Sequence, residues 1–114
     1  DHRLVYYAGF SYLETADQSG IKIYRYKTGF MHQKVMLVDH RYACVGTANL
    51  DNRSMRLNFE VTALVCDPQF VSDVDSMLTK DFAHCTQATA KDYRQRSWAF
   101  RVTCRAARLF APIL

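Results

Sequence analysis

The stretch FMHQKVMLVD, residues 30–39, decides how the rest of the chain is read. From Met31 to Val38 it has the length and apolar content of a β-strand buried on both faces, yet His32 and Lys34 sit inside it. Side chains alternate along a strand, so residues two apart share a face. His32 and Lys34 are therefore expected side by side, pointing into a largely apolar setting. Lysine is rarely buried unless it is paired, so the couple demands a chemical reason.

Working outward, Thr28-Gly29 turns the chain out of IKIYRY, residues 21–26, whose alternating apolar and basic residues predict a strand with one wet face. On the other side, His40-Arg41 interrupt the apolar run and Tyr42 to Val45 resume a short strand, so a hairpin is expected. GTANLDNRSMR, residues 46–56, is polar and turn-rich, with room for one helical turn. LNFEVTALVC, residues 57–66, reads as the second strongly apolar strand, with Asn58 and Glu60 on one face. Asp67-Pro68 ends that strand and can start a helix, because proline suits the first helical position. Phe70, Val74, Met77, Leu78 and Phe82 then recur at helical spacing over 69–84.

Nearer the termini the signals are broader. Residues 4–17 predict one helix, stopped by Ser19-Gly20. Thr86 to Thr89 reads as a polar break. Residues 93–109 predict a last helix, with Trp98, Val102, Ala106 and Leu109 as its apolar stripe and Arg94, Arg101, Arg105 and Arg108 beside it. That basic stripe reads as a solvated face, or alternatively as a contact for anionic head groups. Two strands apolar on both faces predict an α/β layered architecture, a mixed β-sheet covered by helices on both sides.

Composition narrows the class. With 114 residues the chain is long enough for a single domain, 1–114. The net charge of +4 suits an anionic partner, whether phosphate, lipid head group or nucleic acid. The cysteines, Cys44, Cys66, Cys85 and Cys104, form neither CxxC nor a zinc-ligand spacing. Reduced thiols and a reducing cytosolic face are expected. No apolar run approaches the ~20 residues of a membrane span. The chain starts at Asp1 without an initiator methionine, which suggests a piece of something longer.

The opening stretch continues into a pattern: His32, Lys34, Asp39, then Gly46, Thr47 and Asn49. At ordinary residue frequencies a chance match at one start point is on the order of 10⁻⁸ to 10⁻⁷. The HxKxxxxD element resembles the defining motif of the phospholipase D superfamily. Around it, GFMHQKVMLVD, VGTANLDNRSMRLNFEV and the ending RLFAPIL look like the C-terminal catalytic domain of bacterial cardiolipin synthases. The resemblance covers nearly the whole chain and is densest from Gly29 to Val65.

That resemblance implies a phospholipase D-like layered sandwich and a covalent mechanism without metal or cofactor. One histidine attacks phosphorus and forms a phosphohistidine; a second protonates the leaving alcohol and then deprotonates the incoming one. His32 would be one of the two, in either role. Lys34 would neutralise a phosphate oxygen. Asn49, Thr47, Asn58 and Arg53 would bind the substrate phosphate, Arg56 being an alternative to Arg53. Glu60 is expected to orient the imidazole of His32. Asp39 is expected to stay structural, accepting hydrogen bonds from loop amides, although the motif also admits a catalytic part for it.

A single motif supplies one histidine where the chemistry needs two. The other is expected from an N-terminal motif-bearing half of the same protein, or from a second copy across a twofold axis. The isolated chain is expected to be inactive unless it dimerises. The activity implied is transfer of a phosphatidyl group between two phosphatidylglycerol molecules, at a bacterial membrane and on its cytoplasmic side. The same motif also serves a phospholipase D or a homodimeric phosphodiesterase that uses water as acceptor. Nucleic acid is not the expected partner. A degenerate binding domain would not need all six motif positions.

Overall fold

The computed structural model describes residues 2–110; Asp1 and the end of the RLFAPIL run, residues 111–114, lie outside the described residues. Among the described residues the order is α1 (His2–Ser11), α2 (Leu13–Gln18), β1 (Ile23–Tyr26), β2 (Val35–Val38), β3 (Tyr42–Gly46) and α3 (Asn52–Arg56). Then follow β4 (Thr62–Val65), α4 (Pro68–Ala83), β5 (Cys85–Ala88), α5 (Ala90–Arg94) and α6 (Trp98–Leu109). The chain forms two compact units. One comprises the segments up to Arg25, Asp51–Arg53 and from Gln87 onward; the other comprises Tyr26–Leu50 and Ser54–Thr86.

The second unit carries the opening stretch. β2 and β3 pair antiparallel, Val35 opposite Val45 through Val38 opposite Tyr42, and β3 pairs antiparallel with β4. The hairpin closes because Asp39 and His40 both take φ 51°, while the Arg41 N–H donates to the Val38 carbonyl at 2.9 Å. Positive φ at both central residues with that bond marks a type I′ turn, whose twist matches the strands. Aspartate and, less readily, histidine tolerate the left-handed region. α4 starts where expected: Pro68 opens it, and the Asp67 carboxylate accepts from the Phe70 N–H at 2.9 Å.

The core of this unit is Ala43, Val71 and Val74, packed by Val35, Leu37, Met77 and Leu78. Val35, Leu37 and Ala43 share one sheet face by register, and α4 lies on it. The opposite face carries Met36, Val38, Tyr42 and Leu64, all exposed. The expected mixed sheet covered on both sides therefore differs from the sheet found. Both pairings are antiparallel, as a short hairpin turn requires, and the described helix packs on one face only. The strands are also shorter than the apolar runs: Met31 to Lys34 precede β2, and Leu57 to Val61 precede β4.

The first unit is helical. Phe10, Leu13, Tyr93 and Cys104 form its buried cluster, with Tyr7, Ile23, Ala88 and Phe100 against it. Phe10 and Phe100 meet edge-to-face at 5.2 Å, and the Arg25 guanidinium lies 3.8 Å from the Phe10 ring centre. The single helix expected over 4–17 is two. Ser11 Oγ donates back to the Ala8 carbonyl at 2.6 Å, a local bond that competes with the helical ladder. α2 ends as expected, in a Schellman arrangement with Gly20 at φ 73° and the Ile21 N–H bonded to the Ala16 carbonyl.

The last helix expected over 93–109 is also two, because Ser97 caps α6 by accepting from the Phe100 N–H. Thr89 and Asp92 form a capping box at the start of α5. β5, which pairs with β1, occupies most of the supposed polar break. All four cysteines are free thiols. Burial raises the pKa of Cys104.

Candidate active site

In an antiparallel order β2-β3-β4, the start of β2, the end of β3 and the start of β4 fall at the same edge of the sheet. Backbone bonds carry the alignment past the strands. The Gly46 N–H donates to the Lys34 carbonyl at 3.0 Å, and the Thr47 N–H donates to the Val61 carbonyl at 2.9 Å. Three polar segments that are distant in sequence, His32 to Lys34, Gly46 to Asn49 and Asn58 to Glu60, thereby meet. All belong to the second unit.

His32 and Lys34 are paired, as expected, but not as buried strand residues. Both precede β2; His32 is exposed and Lys34 half-buried. The Lys34 Nζ lies 2.9 Å from His32 Nδ1 and 3.1 Å from Nε2, and donates to the His32 carbonyl at 3.0 Å. An ammonium has only protons to offer, so the ring nitrogen that engages it must present a lone pair. The Phe30 ring stacks on the imidazole, with centres 5.6 Å apart and planes 23° from parallel. Between them Gln33 points elsewhere and donates to the Asp81 carboxylate near the end of α4 at 2.8 Å, which ties the motif segment to that helix.

Glu60 has other partners than the one expected. Thr47 Oγ1 donates to Glu60 Oε2 at 2.5 Å, and Asn58 Nδ2 donates to Oε1 at 3.3 Å. The Thr47 hydroxyl and then that of Ser54 hold the Glu60 carboxyl below its ordinary value of 4.5; burial opposes them, and the Asn58 amide and the charge of Lys34 add smaller lowering effects. No hydrogen bond joins Glu60 to His32 among the described residues. The charge of Lys34 is the last and smallest of the influences on it, and its position is before β4 rather than within it.

Thr47 is likewise committed. Its one proton goes to Glu60, and its oxygen accepts from the Val61 N–H at 3.0 Å. In this structure the hydroxyl thereby pins Glu60. Asn58 spends an amide hydrogen on Glu60. Asn49 is exposed. Arg53 is exposed on α3 and belongs to the first unit. Asp39 lies at the opposite end of β2 from His32, with about 13 Å of strand between them. Its role in the turn is through backbone conformation; no loop amide donates to its carboxylate among the described residues.

Two groups escaped the sequence reading. Ser54 is buried on α3 and lowers the Glu60 pKa; one serine among arginines on a five-residue helix carries no pattern. His40 had no evident partner, yet its Nδ1 lies 3.1 Å from the Asp75 carboxylate on α4. Among the described residues no group of three or more His, Cys, Asp or Glu could hold a metal ion, and no helix is long and apolar enough to cross a membrane.

Known proteins match this chain in sequence. A family model described as the phospholipase D-like domain of cardiolipin synthase matches residues 1–82. Over its whole length the chain is 46% identical to cardiolipin synthase A of Pseudomonas putida, of which it covers 24%. It is 48% identical to the protein of that name from Pseudomonas aeruginosa, covering 23%, and 45% identical to that of Pseudomonas fluorescens, covering 24%. The chain thus spans about a quarter of the length of these curated relatives.

Proposed function

The chain belongs to the phospholipase D-like domain family of cardiolipin synthases, and from that premise we propose that it is one motif-bearing half of a phosphatidyltransferase that makes cardiolipin. The substrate is phosphatidylglycerol on both sides of the transfer. One histidine nitrogen bonds to phosphorus as the bond to the leaving glycerol oxygen breaks, and the opposing histidine gives that oxygen its proton. The hydroxyl of a second phosphatidylglycerol then surrenders its proton to the same base and attacks phosphorus, which breaks the P–N bond. His32 takes one of these two parts. The other histidine comes from an N-terminal half or from a second copy.

The observation that carries this reading is the Lys34 ammonium held 2.9 Å from the His32 ring, at the sheet edge where Glu60 also gathers. In that place the lysine can turn from the imidazole to a phosphate oxygen and stabilise negative charge as it builds. Asn49 adds an amide donor. Thr47, Ser54 and Asn58 fix the carboxylate that balances Lys34. The open sheet face of Met36, Val38, Tyr42 and Leu64 receives a further layer in the longer protein, which completes the sandwich. Catalysis takes place at the cytoplasmic side of a bacterial membrane.

Lipids extracted from cells that express the full-length protein test the reading by thin-layer chromatography. His32→Ala should abolish cardiolipin formation by that protein. Unchanged cardiolipin output would falsify the assignment, and accumulation of phosphatidic acid by the wild type would instead favour a hydrolase.

A further inference from the structure

We propose that the outward face of α6 is a docking surface for an anionic lipid bilayer. The proposal concerns the helical unit alone and stands whether or not His32 is catalytic.

α6 has two apolar stripes. The one that packs inward is Phe100, Cys104 and Ala107, part of or against the buried cluster. The one expected to pack, Trp98, Val102, Ala106 and Leu109, is exposed, its large members Trp98, Val102 and Leu109 by 74%, 53% and 80%. At 3.6 residues per turn these stripes lie on opposite sides of the helix. The core of the helical unit is filled from the other face, so the exposed tryptophan and two large aliphatics serve no packing within that unit.

Charge points to the occupant. Arg101 and Arg105 are exposed and run along one side of the Trp98 stripe. Arg108 continues the row, its guanidinium 4.7 Å from the Tyr12 ring centre. α6 contains no acidic residue, and Arg94, just before it, already reaches Glu14 at 3.6 Å. A tryptophan-bearing apolar stripe with arginines along one border, small alanines along the other and no acidic residue is the composition of helices that lie in a membrane interface. From Trp98 to Leu109 the stripe runs about 16 Å along the axis, so several side chains can enter the headgroup boundary together while the arginines meet lipid phosphates.

Trp98 is the only tryptophan, so the full chain reports on its own docking. Vesicles of phosphatidylglycerol and phosphatidylcholine should shift its emission to the blue, and brominated lipid should quench it; pure phosphatidylcholine should do neither. Arg101→Gln and Arg105→Gln should each weaken partitioning roughly fivefold. Val102→Glu should remove the response with the circular dichroism spectrum unchanged. Equal binding to neutral vesicles, no binding by the folded chain, or a lipid-free blue shift that grows with protein concentration overturns the proposal, the last in favour of self-association. Should the chain not fold alone, Val102→benzoylphenylalanine in the full-length protein, irradiated in phosphatidylglycerol membranes, decides. Crosslinks to lipid support the surface, and crosslinks only to protein overturn it. Neither readout needs turnover, so failure here leaves the catalytic reading intact.

Discussion

Replacing Gly46 by alanine drives a methyl group into the backbone of the neighbouring strand. A Cβ at this position would meet the Val61 carbonyl oxygen at 2.5 Å and the Thr62 Cα at 2.8 Å, and would press on Thr62 Oγ1. Non-bonded carbon contacts settle near ~3.5–4.0 Å, so β3 and β4 must part by about 1 Å at the edge where the motif gathers. Overpacking of this kind costs about 1–3 kcal/mol. At roughly 4 °C per kcal/mol for a chain of this size, the melting temperature should fall by about 4–12 °C.

The same movement pulls Thr47, the next residue, away from Glu60 and Val61. Misplacement by 1 Å can cost on the order of a hundredfold in rate, so cardiolipin synthesis by the full-length protein should drop on that scale. Gly9→Ala is the control. Nothing lies within 4 Å of its Cβ, and it sits inside α1, so alanine there should stabilise by about 0.5–1 kcal/mol. Far-UV circular dichroism melts of the three proteins give the comparison. A Gly46→Ala protein that melts at or above the wild-type temperature refutes the close-approach argument.

Three further outcomes are expected. Asp67→Ala removes the acceptor for the Phe70 N–H and should destabilise by about 1 kcal/mol, read as a drop of roughly 4 °C in Tm, whereas Asp67→Asn should keep most of the cap. Glu60 has a folded pKa below its ordinary 4.5, so the fold favours the ionised form. Its contribution is fully present above the unfolded value and is lost as pH falls through the folded one. The melting difference between wild type and Glu60→Gln should therefore be constant above about pH 4.5 and shrink below it; a difference that widens on acidification contradicts this. Thr47→Ser should keep cardiolipin output and Thr47→Val should lose most of it, because only a hydroxyl can donate to Glu60 and accept from Val61; equal output from both breaks the link.

The sequence by itself determined what neighbours in the chain decide. His32 beside Lys34, the turn at the end of their run, the Asp67-Pro68 helix start and the Ser19-Gly20 stop were all legible, because period, cap and turn chemistry act over a few residues. The motif also identified the family. Register was not legible, since it depends on how strands separated by loops align. Only the tertiary pairing of β3 with the segment before β4 showed Glu60 held by Thr47, 13 positions away in sequence. The same limit governs α6. Helical spacing revealed an apolar stripe at Trp98, Val102 and Leu109, but two stripes compete on that helix. The better fit of Phe100, Cys104 and Ala107 into the aromatic cluster around Phe10 decided which one faces the core. Packing resolves such ties by shape, and shape is a property of the partner surface as much as of the helix.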